Sequence, residues 1–348
     1  MWVTSSPATA LTPTTVALGN FDGVHRGHQQ VIKPILQASG SSQAVSVTQP
    51  AIDWQTRIEG LSLPTLRENI EGKVRTGTGR TYSTVATFNP HPREFFSGKT
   101  WKLLTPRAEK VQQLRSIGVE QLVLLPFNEE LAGLNPQQFV EKILVQQLAA
   151  THVSVGQDFH FGHKRTGTSA DLKAIASSYG IDVTIVSLQT CQGERISSTL
   201  IRQSLEQGDI SQANRLLGRP YTLTGVVVKG QQLGRTIGFP TANLQLPPEK
   251  FLPRFGVYCV RVSGDFLTSP TASGVGVMNI GQRPTVNGTS VTVEVHLLDW
   301  SGDLYGKTLT VSLEQFLRPE QKFASLDALK TQIQTDSAAA RAFFARSG

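Results

Sequence analysis

Residues 14–30, TTVALGNFDGVHRGHQQ, limit the folds open to this chain more than any other stretch. Residues 15–18 read as a buried strand, Gly19 and Gly23 permit a sharp turn with close backbone approach to a ligand, and a helix starts near His25. The first amides of a helix lack intrahelical partners, so anions are stabilised there. His25 and His28 stand three apart and share one helix face, while Gly27 between them removes a side chain that would obstruct a triphosphate. Strand, glycine turn and helix in this order are the build of a phosphate site. The spacing does not fit a HExxH zinc site, and the GxGxxG dinucleotide fingerprint is absent here. The bland alternative is two surface histidines on an ordinary helix.

Five motifs extend the pattern along the chain: GNFDGVHRGH (19–28), TFNPHP (87–92), VGQDFHFG (155–162), RISSTLIR (195–202) and GFPTAN (238–243). Together and in order they resemble the bacterial bifunctional riboflavin kinase and FMN adenylyltransferase family, the FAD synthetases. The resemblance implies ATP as co-substrate, Mg2+, and riboflavin, FMN and FAD as substrate and products.

A chain of 348 residues suits two domains, and an apolar fraction of 39% is ample for two buried cores. Its net charge of +7 suits anionic ligands. Lys and Arg are dispersed rather than gathered in runs, which favours small phosphorylated molecules over nucleic acid. Cys191 and Cys259 lie far apart and offer neither a disulfide framework nor a metal cluster. No apolar run of about eighteen residues is available to span a bilayer, and the start MWVTSSPATA lacks a basic region ahead of a hydrophobic one. The expectation is a cytoplasmic enzyme of small molecules without membrane or nucleic-acid partners; homo-oligomerisation stays open.

Up to about residue 219, strand-like segments alternate with helical ones, which predicts a doubly wound, Rossmann-like parallel sheet. Candidate strands are residues 15–18, 84–88, 121–125, 152–155 and 182–187. Helix starts are signalled by Asn135 before Pro136 and by Ser169 ahead of Asp171. Ligands of such sheets bind beyond the carboxyl ends of the strands, where most of these motifs fall. The first dozen residues read as loose. Residues 46–80, polar and without clear periodicity, read as an insert: a lid, an added unit, a disordered segment or retained non-coding material. Helices over residues 199–207 and 210–217, the second ended by Gly218, lead into residues 220–348. There, alternating segments such as VYCVRV and VTVEVHLL predict an antiparallel β-barrel, with a helix over residues 325–346 packed outside it.

Site residues follow from the resemblance. On the adenylyltransferase side it implies Gly19, Phe21, Asp22, Gly23, His25, His28, Ser197, Ser198, Thr199 and Arg202 around ATP, with His25, His28, Arg195 and Ser198 catalytic. Asn89, His91, Asp158 and Phe161 would contact the flavin. Asn89 replaces a more usual Asp, and Asp158 reads equally well as a turn residue. On the kinase side it implies Gly230, Gly234, Gly238, Thr241 and Asn243 around ATP, Thr241 and Asn243 on the metal, Arg283 near the flavin, and Glu294 as base. RISSTLIR alone is an ordinary Ser/Thr cap, PTAN alone a turn, and Glu294 alone a solvated glutamate. The rivals are a kinase whose first domain only binds, a flavin-dependent RNA regulator, and an adenylyltransferase of another phosphorylated metabolite.

Overall fold

The computed structural model describes residues 1–40, 80–230, 234, 237–264, 273–285 and 288–347; for 283–285, 288, 289 and 347 the backbone alone is described. Most of the insert predicted over 46–80 lies outside the described residues. The first domain holds β1 (Trp2–Thr4), β2 (Thr14–Leu18), β3 (Tyr82–Asn89), β4 (Gln121–Pro126) and β5 (Ala150–Gly156). After these come a small β6–β7 hairpin (His160–Phe161, Gly167–Thr168), β8 (Asp182–Val186) and a β9–β10 hairpin (Thr190–Cys191, Glu194–Arg195). The main sheet runs β1-β4-β3-β2-β5-β8, and every pairing in it is parallel. From β2 the chain winds outward to β3 and β4, then returns to β5 on the other side. The crevice beyond β2 and β5 is thus the topological switch point, where such sheets take their ligands. Helix Arg26–Ala38 covers one face of the sheet through Val31, Ile32 and Ile35. On the other face Phe139, Val140, Ile143, Leu144 and Leu172 fill the core.

Two local expectations change. The N-terminus is ordered: β1 pairs with Gln121–Val123, and the Gln121 side chain holds Leu11 by both its backbone N–H and its carbonyl, at 2.7 and 3.2 Å. Its apolar signal is too short to show in a periodicity, so only pairing reveals it. The helix Ser169–Ser177 is capped by Thr168 rather than Ser169, in a reciprocal capping box with Asp171. Asn135 caps as expected, with Gln138 completing its box.

Helices Ser198–Gln207 and Ile210–Leu217 lead to the second domain, and Gly218 ends the latter in left-handed backbone, φ 77°. Six strands then close an antiparallel barrel. They are β11 (Tyr221–Val228), β12 (Ala242–Gln245), β13 (Gly256–Gly264), β14 (Gly274–Thr285), β15 (Gly288–Leu297) and β16 (Thr308–Pro319). Strict alternation of buried and half-buried residues along β11 is the period-two signature of a small filled barrel. The final helix, Leu326–Ser347, lies against the barrel through Ala340, Phe343 and Phe344. Its first turn does not pack: Leu326 is 68% exposed, whereas Asp336 is buried in an ion pair with Arg318 at 2.7 Å.

The two domains share one continuous apolar core, in which Ile201, Leu205, Leu216 and Leu217 meet Tyr221, Leu244 and Leu313. Across the same junction Lys250 Nζ donates to Glu109 at 2.5 Å and to the Leu104 carbonyl at 2.8 Å, with both side chains almost fully buried.

Candidate functional site

The loops after β2, β3, β5 and β8 converge with the start of helix Ser198–Gln207 on a cavity of about 880 Å³. Of the residues expected around the nucleotide, Gly19, Phe21, Asp22, His25, His28, Arg195, Ser197, Ser198, Thr199 and Arg202 line it, and on the flavin side so do His91, Asp158 and Phe161. Two do not. Gly23 lies behind the turn, its N–H donated to Thr105 Oγ1 at 2.9 Å. Asn89 is exposed at the end of β3, where its carbonyl accepts the Phe127 N–H at 2.9 Å.

His25 is itself the cap of helix Arg26–Ala38: its Nδ1 accepts the His28 N–H at 3.2 Å. A side chain at Gly27 would press on the His25 ring at 3.2 Å, so the glycine makes room for the cap. The two imidazoles stack, centroids 3.6 Å apart and planes at 14°. Burial first, and then Arg219, lowers the His25 pKa to about 4; burial and His25 itself hold His28 well below the usual value. Both rings are therefore neutral at physiological pH. Because His25 Nδ1 accepts, its proton sits on Nε2, which is then a donor. Among the described residues, His28 Nδ1 is buried without a hydrogen-bond partner. An orphan polar atom on a cavity wall is what a ligand contact leaves behind.

The turn between β2 and the helix is held from the rear. Its carbonyls are taken by side-chain donors: Asn20 by Thr87 Oγ1 and Lys110 Nζ at 3.0 and 2.8 Å, Asp22 by Ser198 Oγ at 2.8 Å. Gly23 is taken by Arg219 at 2.8 Å, and Val24 by Gln29 and Arg219 at 3.1 and 3.4 Å. Phe21 and Val24 hold left-handed backbone, φ 45° and 42°, which residues with side chains keep only where surroundings impose it.

Two arginines of the cavity are paired with carboxylates. Arg202 binds the buried Asp22 carboxylate at 2.5 Å and the Lys102 carbonyl at 2.7 Å, its guanidinium 5.1 Å from the Trp101 and Phe251 ring centroids. Its Nη1 stays buried and has no hydrogen-bond partner among the described residues. Arg195 pairs with Asp158, which stands in the turn after β5 and lines the cavity. Two of the three hydroxyls expected near the phosphates make bonds within the fold: Ser197 Oγ accepts the Leu200 N–H at 3.2 Å, and Ser198 Oγ donates to the Asp22 carbonyl of the turn.

In the barrel, Asn243 on β12 stands opposite Glu294 on β15, and Asn279 on β14 faces Glu294 from the other side. Thr241 Oγ1 donates to Glu294 Oε2 at 3.3 Å. A Cβ at Gly230 would lie 2.4 Å from the Asn243 amide, and one at Gly234 2.2 Å from the Phe239 carbonyl. Only a glycine at each position allows so close an approach. Gly238 turns the chain ahead of it, φ 89°. His296 is committed to the fold, its Nδ1 at 2.8 Å from the Pro240 carbonyl. Arg283 has its backbone on β14 opposite Ser290; its side chain lies outside the described residues.

Residues 217–344 match the family model for riboflavin kinase, and residues 8–50 and 73–200 match that for FAD synthetase. The chain belongs to the bifunctional riboflavin kinase/FMN adenylyltransferase family. It is 40% identical to the bifunctional riboflavin kinase/FMN adenylyltransferase of Pseudomonas fluorescens, the alignment covering 95% of this chain and 93% of that one. The protein so named in Escherichia coli (strain K12) is 40% identical, with 94% and 92% covered. A solved structure described as a macrolide-efflux protein from Streptococcus pneumoniae has the same architecture, with a TM-score of 0.76, 28% identity and 97% of this chain covered. No helix among the described residues is long and apolar enough to cross a membrane. Within the FAD synthetase match, residues 51–72 are passed over.

The aromatic side of the first cavity extends beyond the phenylalanines of VGQDFHFG. Phe161 is buried and packs on Phe139 at 5.4 Å, with Phe159 stacked on it at 5.8 Å, so this pair supports the wall. The open aromatic surface is made by Phe96, 73% exposed, with Phe127 edge-on at 5.8 Å and Trp101 stacked on His91 at 5.7 Å. Sequence reasoning missed it. The only signal was the FF pair of PREFFSGKTW, apolar residues in a short Gly- and Lys-containing segment.

Proposed function

We propose that the chain makes FMN from riboflavin and ATP in the barrel and FAD from FMN and ATP in the first domain, with these named residues carrying each step. The observation that carries the reading is the stacked, neutral imidazole pair at a helix start, with His28 Nδ1 and Arg202 Nη1 left unpartnered at the same cavity.

For FAD formation the FMN phosphate attacks the α-phosphorus of ATP and pyrophosphate leaves, a displacement without an enzyme nucleophile. The protein's work is alignment and stabilisation of charge moving onto the leaving group. His25 Nε2–H and the first amides of helix Ser198–Gln207 supply donors that need no protonation change, and Arg202 supplies fixed positive charge. Phe96, Phe127 and Trp101 give the isoalloxazine ring an apolar face.

For FMN formation Glu294 takes the proton from the primary ribityl hydroxyl as its oxygen attacks the γ-phosphorus and ADP leaves. Hydroxyl, amide and carboxylate oxygens are the hard donors that magnesium prefers, and Thr241, Asn243 and Glu294 gather them at one end of β12 and β15. Thr241 and Asn243 would hold Mg2+, which neutralises phosphate charge when bound. We also propose a cytoplasmic setting and no nucleic-acid partner, in keeping with two free cysteines and dispersed cations. The rival in which the first domain only binds is not favoured, since the FAD synthetase match takes in the histidine turn and reaches the start of RISSTLIR, ending at residue 200.

Chromatography of products from riboflavin, ATP and magnesium tests the reading. Wild type yields FMN and FAD, His28→Ala stops at FMN, and Glu294→Ala makes FAD only when FMN is supplied. FMN formation that survives loss of Glu294 at full rate refutes the assignment of the base.

A further inference from the structure

Arg219 follows helix Ile210–Leu217 and precedes β11, inside the segment that matches riboflavin kinase. Its guanidinium nevertheless reaches into the first domain, donating to the Gly23 carbonyl at 2.8 Å and the Val24 carbonyl at 3.4 Å. Both residues hold left-handed backbone, φ 92° and 42°, and Val24 runs directly into His25, the helix cap. The junction is closed at two further points. Gln29 Nε2 donates to the Leu217 carbonyl at 3.4 Å, and a Cβ at Gly218 would stand 3.0 Å from Arg26 Cγ. From the barrel side the approach is fixed as well: Asn214 accepts the Tyr221 N–H at 2.7 Å and donates to the Leu313 carbonyl on β16 at 2.8 Å.

We propose that Arg219 is a positioning residue for adenylyl transfer contributed by the segment that joins the two domains: it clamps the Gly23–Val24 turn and thereby sets where the His25 imidazole stands in the cavity. The inference rests on the adenylyl-transfer reading above. A clamp of this kind acts through geometry, because displacing a catalytic contact by about 1 Å costs on the order of 100-fold in rate. It also acts through charge. His25 faces Arg219 and Arg195 as cations and Asp158 as an anion, and His28 faces His25, Lys110 and Arg219. Removing Arg219 relieves repulsion on both rings and lets them protonate at higher pH.

The test compares full-length wild type, Arg219→Gln and Arg219→Lys in both reactions, with FAD formation from supplied FMN followed across pH. In Arg219→Gln, kcat for FAD formation falls about tenfold or more, riboflavin phosphorylation stays within about twofold of wild type, and the acid limb of FAD formation moves to higher pH. Arg219→Lys returns the acid limb toward its wild-type place and regains part of kcat. The inference is overturned if Arg219→Gln forms FAD with wild-type kcat and pH profile. It is equally overturned if both reactions fall together, since the residue then serves only the fold. A wild-type chain that makes FMN but no FAD overturns the adenylyl-transfer reading itself, a separate result.

Discussion

His25 does two jobs with one ring: Nδ1 caps the start of the helix, and Nε2–H is left as a donor on a residue that lines the cavity. A substitution that keeps the cap but loses the second donor separates them. His25→Asn, a good capping residue, is expected to keep the thermal midpoint within a few degrees while FAD formation falls about 100-fold; product analysis beside a melting curve checks both. His28→Ala is expected to lose FAD formation by a similar factor while leaving riboflavin phosphorylation intact. The depressed histidine pKa also makes stability pH-dependent. With a folded value about 4 against 6.5 unfolded for both His25 and His91, the unfolded chain binds more protons between those limits. Stability is thus fully present above about pH 6.5 and is lost as pH falls toward 4. Melting curves at steps from pH 7.5 to 4.5 are expected to show this decline, and His25→Asn to make it shallower.

At the level of elements, the parallel strands and the capped helices of the first domain were legible because each combines an apolar run with a local stop or start signal. The barrel was legible because alternation reports a filled interior; β12 was not, since only four residues pair and two of them were read as a metal turn. β1 escaped for the same reason of length. The candidate site was legible where a motif fixes the backbone, as at His25, and illegible where side chains from distant segments meet. Nothing near Asp158 in sequence announces Arg195, and nothing near Ser198 announces that its hydroxyl is spent on Asp22. The corrected cap offers a check. Thr168→Ala is expected to cost about 1 kcal/mol and Ser169→Ala markedly less, both measured by urea unfolding.

On the scale of the whole molecule, the two domains behave as one core pinned by Glu109 and Lys250. Burial pushes the Glu109 carboxyl up and the Lys250 ammonium down, each opposed by its partner. Lys250→Met leaves a buried carboxylate alone and is expected to destabilise by about 3–5 kcal/mol, whereas the double change with Glu109→Met recovers much of that loss. Denaturant titration of the three variants decides it, and a double variant no better than the single one counts against the pairing. The rearward carbonyl caps of the Asn20–Val24 turn bear on substrate choice. With these carbonyls occupied, the backbone of the turn has little to give an ammonium group. The backbone of this wall therefore suits an anion better than a cation, and a ligand whose phosphate is replaced by an amine is expected to lose its hold on the turn whatever ring it carries.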